Sequence, residues 1–223
     1  MKPASNSPTE GRTVQITAGD VRLEGNLAIP PGAKGIVVFV HGSGSSRLSP
    51  RNRFVAAAMR EGGLATLLFD LLTAEEDRVD QFTREWRFNI PHLARRLGLA
   101  ADWLREQPDA RDLEIGYFGS STGAAAALIA SAERPEAVRA VVSRGGRPDL
   151  AMPVLEKVRA ATLLIVGGND TEVIALNRLA LKHLTCAAQL DIVPGATHLF
   201  EEPGTLEEVS RLAREWFVKH LGG

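Results

Sequence analysis

The order of apolar and polar residues divides this chain into alternating extended and helical segments. Residues 12–17 and 21–29 alternate apolar with polar around Gly19-Asp20, the pattern of a hairpin with one solvated face. Pro30-Pro31-Gly32 ends it. Residues 35–40 (GIVVFV) are apolar without interruption, as expected of a strand covered on both faces. Residues 52–61 then read as a helix and 64–69 (LATLLF) as a strand. Helical spacing returns over 91–105 at Leu93, Leu97, Ala100, Ala101 and Leu104, with Pro91 in the first turn. Strands are predicted at 113–118, 138–142, 162–166 and 188–193, and helices at 122–132, 172–183 and 206–220.

A hairpin followed by repeated strand–helix units predicts an α/β fold. The expected sheet is mostly parallel, with about seven to eight strands and helices on both faces. Such crossovers are right-handed in nearly all cases, and ligands bind beyond the carboxyl ends of the strands. Residues just after strands are therefore the ones to inspect. Residues 1–11 read as a loose arm and 12–223 as a single domain. Residues 71–90 form an excursion too short for a folded cap and long enough for a lid segment.

Composition narrows the classes. The chain has 223 residues, 44% of them hydrophobic, enough for one sizeable core. The formal net charge is −1, so no global field favours nucleic acid or an anionic membrane surface. No apolar stretch reaches the roughly 18 residues of a membrane-spanning helix. The polar residues 1–10 lack the apolar core of a secretory signal. The one cysteine, Cys186, excludes an internal disulfide, and a cytoplasmic setting is expected.

Gly119-Ser120-Ser121-Thr122-Gly123 carries the sharpest chemical signal. It is a G-x-S-x-G pentapeptide between a predicted strand and an Ala-rich helix, the context of a nucleophile elbow. The turn is so tight that side chains at its two glycine positions would strike the neighbouring strand and helix. A serine hydroxyl needs a base, and the base needs an acceptor on its other ring nitrogen. Of five histidines, His198 lies in the strand-end loop Pro194-Gly195-Ala196-Thr197-His198. His183 and His220 fall near helix ends and His92 at a helix start, all expected at the surface. Asp170, in Gly167-Gly168-Asn169-Asp170, follows the strand at 162–166 and is the expected acid. It also stands where a helix N-cap would. Asp149 is the alternative acid. The expected oxyanion hole comprises the backbone N–H of Thr122 and that of Ser43 in the loop His41-Gly42-Ser43-Gly44, with Gly44 next in line. His41 is expected to order that loop.

Together these motifs resemble the α/β-hydrolase superfamily, and within it the dienelactone-hydrolase-like branch, across roughly residues 12–221. The resemblance implies an α/β-hydrolase fold with a minimal cap or none, and a Ser121-Asp170-His198 triad. It departs at the nucleophile: dienelactone hydrolases proper use cysteine, and this chain has Ser121. Cys186 stands just before a strand, as a small apolar filler.

Substrate clues are fewer. Phe82, Trp86 and Phe88 either line an acyl pocket or pin the 71–90 segment to the core. Arg144 and Arg147 follow a strand, placed to hold a substrate carboxylate or to pair with Asp149 and the lid acids. The expected activity is cleavage of small carboxylic esters or thioesters by a monomer or homodimer. No cofactor or metal is expected, since no Cys/His cluster has ligand spacing. Acyl transfer and peptide hydrolysis use the same machinery, and a non-catalytic binding protein is the alternative of another class.

Overall fold

The computed structural model describes residues 11–222. The arm expected at 1–11 lies, but for Gly11, outside the described residues. The hairpin is β1 (Arg12–Ala18) and β2 (Val21–Ala28), paired antiparallel with Ala18 opposite Val21. Then follow β3 (Gly35–Val40), β4 (Ala65–Phe69), β5 (Glu114–Ser120), β6 (Val138–Arg144), β7 (Ala161–Gly167) and β8 (Ala188–Val193). They form one eight-stranded sheet in the order β1-β2-β4-β3-β5-β6-β7-β8. Pairing is parallel from β4 to β8, and β2 meets β4 antiparallel. This is the expected mostly parallel sheet.

Among the described residues six helices cover it: α1 (Pro50–Glu61), α2 (Ala74–Thr83), α3 (Ile90–Glu106), α4 (Thr122–Glu133), α5 (Thr171–Leu181) and α6 (Thr205–Leu221). A 3-10 segment, Pro148–Lys157, joins β6 to β7. The unbroken apolar run of β3 explains itself here. Ile36, Val38 and Val40 pack on one face with α3 and α4, while Val37 and Phe39 pack on the other with α1 and α6. Each such large side chain contributes about 1.5–3 kcal/mol on burial. The alanines 124–127 of α4 are all fully buried, so this helix lies close against the sheet. Among the described residues no helix is long and apolar enough to cross a membrane.

The 71–90 excursion contains a helix, α2, that hydrophobic spacing does not predict. Of its ten residues only Asp80 is buried. Polar chemistry builds it. Thr73 and Glu76 form a reciprocal capping box, and Glu75, Glu76 and Asp77 load the first turn with negative charge. Arg96 of α3 then grips Glu76 with hydrogen bonds of 2.5 and 2.6 Å and the Leu71 carbonyl at 2.8 Å. Burial works to raise the Glu76 carboxyl, but Arg96 and the Thr73 amide hold it down to about 2. Asp80 accepts from the Trp86 amide at 2.7 Å and from Arg87 Nε at 2.5 Å, which fixes the turn after the helix.

Two side chains proposed for an acyl pocket are placed otherwise. Phe82 is 86% exposed, because it stands on the outer face of α2. Trp86 is half-buried and packs on the core beneath, so it anchors the segment. Two histidines are also less exposed than expected. His92 and His220 each bury Nε2 without a partner among the described residues, and the His220 ring lies tilted against that of Trp216, centroids 4.6 Å apart.

Candidate active site

β5 ends at Ser120 and α4 begins at Thr122, so a single residue turns the chain. Ser121 holds φ 51° and ψ −121°, a backbone conformation that costs a non-glycine residue about 1–3 kcal/mol. Its surroundings enforce it. The Ser121 N–H donates to the Arg144 carbonyl at 3.1 Å, and its carbonyl accepts from Ala124 at 3.1 Å and Arg147 at 3.2 Å. A Cβ at Gly119 would overlap the Ala124 backbone, and one at Gly123 would overlap the Val40 and His41 carbonyls. Both glycines are there because backbone occupies the space.

The neighbouring loops bring two more side chains to the turn. His198 Nε2 lies 3.3 Å from Ser121 Oγ, and His198 Nδ1 lies 2.6 Å from Asp170 Oδ2. Asp170 does occupy the N-cap position of α5, yet its side chain makes no capping hydrogen bond. The carboxylate is committed to His198 instead. Asn169 ties the two loops together: its N–H donates to the Ala196 carbonyl at 2.9 Å and its side chain to the Gly195 carbonyl at 2.8 Å. Thr197 donates twice to Glu202, from its amide at 3.1 Å and its hydroxyl at 2.5 Å. Phe200, fully buried at φ 55°, locks the far side of the His198 loop. Asn169 and Glu202 escaped the sequence reading, although an Asn directly before the candidate acid is a signal worth weighing.

Asp149, the alternative acid, is not at the histidine. It pairs bidentately with Arg147 at 2.7 and 2.8 Å. Arg147 therefore has the ion-pair role. Arg144 has no such partner: it is 8% exposed, and its Nε and Nη1 find no acceptor among the described residues. Cys186 is half-buried against the core, its Sγ 3.8 Å from Thr162 Oγ1, far in sequence and space from the elbow loop.

The loop after β3 runs directly over the elbow. A Cβ at Gly42 would sit 3.3 Å from Ser121 Cβ, so only glycine allows this approach without displacement. The Ser43 N–H, expected to face the substrate, donates to Thr122 Oγ1 at 3.0 Å. The Thr122 N–H is the first of α4, a position that helices leave without an intrahelical acceptor.

His41 orders this loop. Its Nε2 accepts from the Leu71 N–H at 3.1 Å and its Nδ1 faces the Gly42 carbonyl at 3.0 Å. That pairing needs a neutral ring protonated on Nδ1. Burial lowers the His41 pKa from 6.5, against the opposing pull of the Gly42 carbonyl and of Asp70 and Asp77. The unfolded chain then binds this proton more readily than the folded one. The His41 contribution to stability is full above about pH 6.5 and declines as pH falls toward the lower folded value. Denaturant midpoints measured between pH 8 and pH 5 should fall for the wild type. In His41→Asn that fall should be shallower; parallel curves for the two proteins would refute the assignment.

A cavity of about 610 Å³ opens beside the loop, walled by Gly42, Ser43, Arg47, Asp70, Thr73 and Arg87 among others. Ser121 and His198 are not in its wall. It adjoins the site through the Gly42-Ser43 backbone and is bounded by α2 and the hairpin. Arg47 is bound to Asp70 and, at 2.6 Å, to Glu24, so much of its charged lining is internally paired.

Known proteins share this fold. A crystal structure of a dienelactone hydrolase from Anabaena variabilis is 58% identical, with a TM-score of 0.95 over 96% of this chain and all of that one. A putative phosphoribosyl transferase of Mycobacterium tuberculosis is 55% identical over 220 residues. That match takes in 99% of this chain but 49% of the mycobacterial protein, so the chain spans about half the length of that curated relative. Est1E from Butyrivibrio proteoclasticus, 15% identical with a TM-score of 0.79 over 95% of this chain and 99% of that one, shares the fold. The model of the dienelactone hydrolase family matches residues 23–217, from β2 into α6, and the chain belongs to that family.

Proposed function

We propose that the protein is a serine hydrolase of small carboxylic esters or thioesters, working through an acyl-enzyme on Ser121. One observation carries this reading: the unbroken line from Ser121 Oγ through His198, 3.3 Å away, to Asp170, 2.6 Å beyond. Ser121 attacks the ester carbonyl as His198 Nε2 takes its proton. His198 returns that proton to the departing alcohol or thiol. Asp170 holds Nδ1–H and supports the imidazolium while it exists. Water, deprotonated by the same ring, then releases the acid.

The oxyanion formed in each step is received by the Thr122 N–H, strengthened by the positive end of α4, and by the Ser43 N–H. At rest the Ser43 N–H is held by Thr122 Oγ1. The Thr122 hydroxyl thus keeps that donor beside the elbow until a carbonyl oxygen takes its place. In this reading Thr122→Val should lower kcat/KM about tenfold by letting the loop drift, since misplacement of about 1 Å costs up to ~10²-fold. Thr122→Ser should restore most of it. Steady-state kinetics of the three proteins check this, and an unimpaired valine variant would refute it. The cavity next to Gly42 and Ser43 offers room for the larger half of a small ester.

The reading is tested by fluorophosphonate labelling, which needs an activated serine, together with hydrolysis of p-nitrophenyl esters from acetate to octanoate. Labelling confined to Ser121, with a preference along the ester series, supports it. A peptidase or acyltransferase would label equally but prefer amides or an added acyl acceptor, and a binding protein would not label.

A further inference from the structure

Among the described residues, Arg144 is a site residue to which the fold supplies a charge and no partner. It ends β6 opposite Ser120, and its carbonyl accepts the Ser121 N–H at 3.1 Å. Strand alternation puts its side chain on the face of Ala140 and Val142, which pack in the α1–α6 layer. The neighbouring strand confirms that this row faces the start of α1: Ser120 Oγ donates to Asn52 Oδ1 at 3.2 Å. Asn52 is the third residue of α1, whose N-cap is Ser49 and whose first turn contains no acid. Arg51 stands beside it, with a buried Nε that also lacks an acceptor. Its Nη1 binds Glu201 at 2.8 Å, so Arg51 is partly offset by a carboxylate and Arg144 is not. Burial, with the charge of Arg51 adding to it, lowers Arg144 to about 10, which leaves it a cation at neutral pH.

A buried cation with unused donors is expensive unless an anion completes it. We infer that Arg144, with Arg51 at the start of α1, forms an anion subsite behind the elbow that takes a carboxylate or phosphate group. A two-oxygen anion suits the guanidinium fork, and the positive end of the α1 dipole favours the same charge, although Pro50 has no N–H and Ser49 already accepts those of Asn52 and Arg53. The anion has two sources: a carboxylate carried by the ester substrate, or a free anion from solution. The first source rests on the hydrolase reading above; the second does not.

The experiment has two arms, run on wild type, Arg144→Met and Arg144→Lys. In the first arm, melting temperature is followed against sodium phosphate and sodium succinate, with ionic strength held constant by sodium chloride. In the second, kcat/KM is measured for the mono-p-nitrophenyl ester of adipic acid and for neutral p-nitrophenyl hexanoate. With a substrate-borne anion, Arg144→Met should lose about tenfold or more on the adipate ester, mainly in KM, and stay within about twofold on the hexanoate. With a free anion, phosphate or succinate should raise the melting temperature of the wild type but not of Arg144→Met, and the esters should not be discriminated. Arg144→Lys keeps the charge and loses the fork, so it should show part of either effect; it also stands in should the methionine variant not fold. The site is overturned if no anion shifts the wild-type melting temperature and the variants lose equally on both esters. If neither ester is turned over by any of the three proteins, the hydrolase reading fails, and the melting arm alone decides the subsite.

Discussion

Ser121→Ala is expected to reduce ester hydrolysis by about 10⁴-fold or more, to the level that binding and oxyanion donors alone provide. The expectation follows from what the substitution removes. Ser121 Oγ has His198 Nε2 as its hydrogen-bond partner, at 3.3 Å, and is the only atom lost. The strained φ of 51° is imposed by backbone hydrogen bonds to Arg144, Ala124 and Arg147, which alanine keeps. The variant should therefore fold, melt near the wild type, and fail to take a fluorophosphonate. Ser121→Gly is equally inactive in this account, but it should melt higher than the alanine variant because glycine tolerates positive φ. The measurement is p-nitrophenyl ester turnover with thermal melts of all three proteins. An alanine variant within about tenfold of wild-type activity would place the nucleophile elsewhere and remove the basis of the proposed function.

Sequence shows these features unequally, for physical reasons. The elbow is legible because its geometry leaves no choice of residue: backbone atoms of Ala124, Val40 and His41 occupy the volume where side chains at 119 and 123 would go. The central strands are legible because burial on two faces demands apolar runs, as in β3 and β7. The α2 helix was hidden because it buries almost nothing apolar; its signature is the Thr73–Glu76 box, a capping signal without periodicity. Phe82 misled for the opposite reason. An aromatic in a candidate lid suggests a pocket, but hydrophobicity does not say which face of a helix will be covered, and here that face is open. The Ser43–Thr122 and Asn169–Gly195 bonds join residues 79 and 26 positions apart, so only the folded sheet reveals them. Arg144 shows the limit of pattern reading most clearly. The sequence offered a choice between a substrate carboxylate and Asp149, and the fold gives Asp149 to Arg147.

Asp170→Asn is expected to lower kcat by about 10⁴-fold at neutral pH while leaving KM within a few-fold, the pattern of a lost tautomer. The carboxylate lies 2.6 Å from His198 Nδ1, and its side chain is only 16% exposed, so water cannot replace it freely. An asparagine amide turned to donate would place the ring proton on Nε2, where it blocks acceptance of the serine proton. The substitution should cost the helix little, because the side chain makes no capping bond at the start of α5 and asparagine caps as well as aspartate. Asp149→Asn is the matched control. It weakens the pair with Arg147 on the chain leaving β6 and should alter kcat by no more than about twofold, since that carboxylate does not reach His198. Steady-state kinetics of both variants decide between the two acids. Loss in Asp149→Asn with retention in Asp170→Asn would mean that the catalytic ring turns toward the β6 side during turnover. Loss in Asp170→Asn alone would mean that a position equally suited to capping a helix has been given over to holding a histidine.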